Sequence, residues 1–149
     1  MSRIILFTLL ALLVAGCSPS ATAPARVTAS EREWSMIRMT QSGGIMGLSR
    51  SIKISSSGKV MVTDDRAAKK IKGELSAAEL SALNEQISAL KDSFNQPDSR
   101  MCADCFIYDL DIQGKGKGIR AQLNDMTLSG SDFESLVTFL LDLMDGLLR

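Results

Sequence analysis

The sequence predicts an α+β domain: an antiparallel sheet of four to five strands packed against two amphipathic helices, in the order ββ(β)-α-ββ-α. Three observations point there. Short runs of alternating apolar and polar residues are separated by glycine-containing turns. Two longer stretches repeat leucine at helical spacing behind capping signals. Finally, placing both helices on one face of the sheet would bury the two leucine stripes together.

The first strand starts at Trp34 and runs into Ser42-Gly43-Gly44, a strong breaker. Ile52 and Ile54 then alternate with Ser51, Lys53 and Ser55. Ser56-Ser57-Gly58 separates that run from Val60-Met61-Val62, which is a hairpin signal. Ala67 to Glu74 is polar and basic and reads as a loop, and the basic run Arg66 to Lys72 reads as solvated or as touching anionic headgroups. Ser76-Ala-Ala-Glu79 has capping-box spacing, in which each side chain satisfies a free backbone N–H of the first turn. Leu80, Leu83, Ile87, Leu90 and Phe94 follow as one helical stripe, and Asn95-Gln96-Pro97 should end it. Phe106, Tyr108, Leu110 and Ile112 alternate with Asp109 and Asp111, a strand with one packed and one wet side. Gly114-Lys-Gly-Lys-Gly118 turns the chain into Ile119, Ala121 and Leu123, a second hairpin. Ser131-Asp-Phe-Glu134 has the capping-box spacing again. It launches a helix that carries Phe133, Leu136, Val137, Leu140, Leu143, Met144 and Leu147 as its stripe.

The N-terminal segment has a different character. Arg3, an apolar run from Ile4 to Val14 broken only by Thr8, and the close Val14-Ala-Gly-Cys17 give the layout of a secretory signal. The apolar run is shorter than the roughly 20 residues a membrane-spanning helix needs. Ending in Cys, it resembles a bacterial lipobox. That resemblance implies a palmitate-type lipid on Cys17 and cleavage between Gly16 and Cys17. Ser18 to about Glu31 is small, polar and dotted with proline, so it reads as a tether with an average reach of about 20 Å. The expected organisation is a signal over 1–16, a lipidated Cys and tether over 17–31, and one domain over 32–149. Ser18 resembles the default for outer-membrane delivery in a cell with two membranes, where the domain would face the periplasm.

Composition narrows the function classes. The 149 residues carry 17 Lys+Arg and 17 Asp+Glu; losing Arg3 with the signal would leave a net charge of −1. No basic block offers the clustered footprint that nucleic acid demands. The chain has no His, which removes the Ser-His-Asp and Cys-His arrangements and the usual general base near neutral pH. A non-enzymatic protein is therefore expected, a monomer that binds a protein partner, with no catalytic residues, no cofactor and no metal site.

Three motifs deserve a chemical reading. Cys102-x-x-Cys105 precedes a strand instead of opening a helix, so it lacks the dipole that lowers a redox thiol's pKa. A structural disulfide is favoured in an oxidising envelope, with redox activity and metal binding as alternatives. Gly43-Gly44-Ile45-Met46-Gly47 is a glycine-rich turn without the Lys-Ser/Thr end of a phosphate loop. Ile45 and Met46 on it are either tucked into the core or presented to a partner. Asp109 and Asp111 share a strand face, as paired catalytic carboxylates would, but alternation alone explains them as a solvated face.

The order of these motifs resembles the emfourin family, small protein inhibitors of thermolysin-type metalloproteases such as protealysin. The residues that carry the resemblance are the strand into Ser42–Gly47, the Ile/Val hairpin around Gly58, the Leu75–Leu83 helix start, Ala103–Tyr108 and the Leu-rich final helix. Together they span about Met36 to Leu148. The resemblance implies a metalloprotease inhibitor. The Cys pair and the lipobox-like start depart from it, and anchoring would move any target to the cell envelope. An envelope interaction or assembly lipoprotein without inhibitory activity is the alternative.

Overall fold

The computed structural model describes residues 33–90, 102–115 and 118–149. The signal-like run, Cys17 and the tether lie outside these residues, as do Phe94 and the Asn95-Gln96-Pro97 stop. Among the described residues the chain forms β1 (Trp34–Gly43), β2 (Leu48–Ser55), β3 (Lys59–Asp64), β4 (Lys69–Glu74), α1 (Ala77–Ala89), β5 (Phe106–Gly114), β6 (Ile119–Asn124), α2 (Asp125–Leu128) and α3 (Glu134–Leu148).

The strands make one antiparallel sheet in the order β4-β3-β2-β1-β5-β6. β1, the first strand in sequence, is central because it pairs with β2 through a tight turn and with β5 across the helical insertion. Alternation sets the two faces. Ile37, Met39, Ile52, Ile54, Val62, Leu110 and Leu123 are buried on one side, where Leu83 of α1 and Leu136, Val137, Leu140 and Met144 of α3 close the core. Each such side chain contributes roughly 1.5–3 kcal/mol of burial. Trp34 Nε1 donates to Asn84 Oδ1 at 2.8 Å, fixing the start of β1 to α1.

The α+β class and the single sheet with helices on one face match the sequence pattern, while three details differ. The sheet has six strands rather than four or five, because the expected loop 67–74 contains β4. Its residues Lys69, Lys70 and Lys72 hid the strand periodicity, and charge of this kind is what an unpaired sheet edge uses to avoid further pairing. A third helix, α2, is one turn long and starts from Asn124, whose side chain accepts from the N–H groups of Met126 and Thr127.

The third difference concerns the start of α3. The Ser76/Glu79 capping box of α1 forms reciprocally, at 3.2 and 2.7 Å. The Ser131/Glu134 box does not. Glu134 is the first residue of α3, and its carboxylate accepts from the Gly130 N–H at 2.7 Å instead.

Candidate binding tip at one end of the sheet

The β1–β2 turn is held in place by β5. Gly43 and Gly44 have φ of 98° and 70°, a region that favours glycine. A Cβ on Gly43 would lie 2.6 Å from the Cys105 carbonyl oxygen, and one on Gly44 would lie 2.7 Å from Phe106 Cε1. The Gly44 N–H donates to that same Cys105 carbonyl at 3.2 Å, and the Gly47 N–H closes the turn onto the Gly44 carbonyl at 3.0 Å. Arg66, from the β3–β4 turn, donates to the Met46 carbonyl at 3.0 Å.

Ile45 and Met46 therefore do not tuck into the core. They stand 88% and 71% exposed on a turn whose backbone is tied at both ends. Met126 of α2, 60% exposed, lies at the same end of the sheet, as does the partly exposed Ile107, which pairs in register with Ser42 and Asn124. Apolar side chains grouped in this way are characteristic of surfaces that meet another macromolecule.

Cys102 and Cys105 are joined by a disulfide, with Cα atoms 5.4 Å apart, immediately before β5. The bridge closes the short segment whose Cys105 carbonyl receives the Gly44 N–H, so the disulfide and the turn form one unit. Among the described residues, no three Cys, Asp or Glu side chains are grouped to hold a metal ion.

Beneath the tip lies a polar row that the sequence reading did not single out. Arg50 of β2 donates from Nε to Gln41 Oε1 at 2.6 Å and from Nη1 to Asp145 Oδ1 of α3 at 2.5 Å. Gln41 is paired in register with both Arg50 and Tyr108 and is only 4% exposed. The Tyr108 hydroxyl donates to Asp125 Oδ1 at 2.8 Å, and the other Asp125 oxygen accepts from the Phe106 N–H at 2.8 Å. Burial, then the neighbouring Asp125 carboxylate, pushes the Tyr108 phenol up to about 12. It stays a donor throughout the physiological range. The row links α3, β2, β1, β5 and α2 and braces the end of the sheet that carries the turn. Its signal was present in the sequence: Gln41 follows Ile37 and Met39 in phase, and Arg50 precedes Ile52 and Ile54 in phase.

Asp109 and Asp111 lie on the open face, where Gln122 donates to Asp109 at 2.7 Å and Arg120 to Asp111 at 3.3 Å. Each carboxylate thus has a surface partner from β6. No protein-family model matches the chain, and no curated protein matches it.

Proposed function

We propose that the chain is a lipid-anchored binding protein of the bacterial cell envelope that docks a protein partner through the Gly43–Gly47 turn. The observation that carries the reading is the exposure of Ile45 and Met46 on a backbone fixed by the Cys105 carbonyl. A preorganised apolar turn loses little conformational entropy on docking, which is how a small protein blocks a cleft without chemistry of its own. The order of motifs adds the partner class: a thermolysin-type metalloprotease, inhibited in the manner of the emfourin family. The lipobox-like Cys17 adds the place, an envelope membrane; where the cell has two, Ser18 points to the outer membrane, facing the periplasm. The alternative, an assembly or interaction lipoprotein without inhibition, would use the same tip on another envelope protein.

Two measurements test the parts separately. Fractionation of cells should find the wild-type protein with membranes and the Cys17→Ala variant either released or retained only as the longer, uncleaved chain; membrane recovery of that variant in cleaved form would reject lipid anchoring at Cys17. Titration of a thermolysin-type metalloprotease with the protein should show saturable inhibition. Full protease activity at micromolar excess would reject inhibition of that enzyme and favour the non-inhibitory alternative.

A further inference from the structure

The face of the sheet opposite the helices is divided by charge. Register places Lys72 beside Met61, Met61 beside Lys53, and Lys53 beside Arg38, in one row across β4, β3, β2 and β1. Lys70 lies in the next row and Lys59 in the row on the other side, opposite Glu74. With strands about 4.8 Å apart and same-face residues about 7 Å apart along each strand, these five cations fall in a patch about 15 Å across. Their spacing is comparable to the roughly 8 Å Debye length at physiological salt, so they act as one field. None of the five side chains makes an ion pair or hydrogen bond among the described residues, in contrast to Lys69, whose ammonium donates to the Leu148 carbonyl on the helical side. The basic row ends at β1, where Arg38 is paired in register with Asp111 of β5, and Asp109 lies opposite Thr40 in the next row.

We infer that this basic half-face lies against an anionic phospholipid surface. The inference rests on the membrane-anchored reading above, because a short tether would keep the domain within reach of a leaflet. Charge complementarity selects the occupant. The residues between the cations are small hydroxyls, Thr40, Ser51 and Thr63, so the patch is flat. It offers no aromatic platform on which nucleic-acid bases could stack, and Met61 at its centre is half-buried rather than raised as a protein anchor. Headgroup attraction sums over basic residues without requiring any fixed geometry. The β5–β6 side, where Arg120 of β6 offsets Asp111, adds little attraction, which tilts the domain onto its β4 edge.

The full chain is reconstituted with vesicles of phosphatidylcholine alone or mixed with phosphatidylglycerol, floated, and acetylated from outside with a membrane-impermeant reagent. Flotation reports the anchor and lysine labelling reports the face. The expected result is flotation with both vesicles, with Lys53, Lys70 and Lys72 labelled about fivefold more slowly on the anionic ones. Lys69 should be unaffected, and high salt should abolish the difference. Lys53→Glu combined with Lys72→Glu should leave flotation intact and remove the protection at Lys70. Equal labelling on both vesicles would overturn the inference while leaving the anchor standing. Failure to float with either would overturn both. Protection by a soluble polyanion but not by the anionic vesicles would overturn it in favour of a different ligand.

Discussion

Tyr108→Phe removes one oxygen from the polar row beneath the turn, and its effect can be worked out from the surroundings. The side chain is 5% exposed, and its hydroxyl donates to a carboxylate at 2.8 Å. A hydrogen bond to a charged group contributes about 1.5–3 kcal/mol. Asp125 keeps its bond from the Phe106 N–H and is itself exposed, so water can replace the lost donor. The lower end of the range, about 1.5 kcal/mol, is therefore expected. For a small domain with a urea m-value of about 1–3 kcal/mol/M, the unfolding midpoint should fall by roughly 1 M.

Alkaline pH supplies a second reading of the same contact. The phenol ionises near 10 when unfolded and near 12 when folded. Its contribution is thus fully present below pH 10 and is lost as pH rises through 12. The wild type should lose about 1–2 kcal/mol in that window, allowing for solvent screening, and the Phe variant should lack that component. An unchanged midpoint at neutral pH, together with identical alkaline slopes, would refute the account of the row.

Other perturbations separate neighbouring positions. Gly43→Ala combines a φ of 98° with a Cβ only 2.6 Å from a carbonyl oxygen and should cost about 1–3 kcal/mol. Gly47→Ala meets nothing within 4 Å and should cost about 1 kcal/mol from its positive φ alone, so thermal unfolding should rank the two. Ser76→Ala should destabilise by about 1 kcal/mol in urea unfolding. Ser131→Ala should stay within about 0.5 kcal/mol despite the same sequence spacing, because it makes no reciprocal cap. Thiol counting on unfolded, unreduced protein should find neither Cys102 nor Cys105 free. Breaking that short loop should cost about 2 kcal/mol on the chain-entropy account.

The parts of this fold that were legible in the sequence are those whose causes are local. α1 declares itself through Ser76, Glu79 and its leucine spacing, and the β2–β3 and β5–β6 hairpins through alternation around glycines. β4 escaped because an edge strand needs only one face to pack, and here Ile71 is the sole large apolar residue among three lysines. The start of α3 was misplaced because the Ser131 spacing is matched by chance with a turn, in which the Glu134 carboxylate serves Gly130. The exposure of Ile45 and Met46 could not be read locally at all. It depends on the Gly44 N–H reaching Cys105, a contact between segments far apart in the chain. The polar row was half legible: its in-phase positions were visible, but the pairing of Arg50 with Asp145 requires α3 to lie across β2.

The central claim is that the exposed apolar turn is the surface that engages a protease. The direct measurement is the inhibition constant of the wild-type protein, Ile45→Asp and Met46→Asp against a thermolysin-type metalloprotease, with unfolding midpoints recorded in parallel. Both side chains are exposed, so folding should be unaffected in each variant. The account predicts inhibition by the wild type and a loss of at least about thirtyfold in each variant, the scale of a central contact worth about 2 kcal/mol or more. Equal potency in all three proteins, with folding intact, would contradict it.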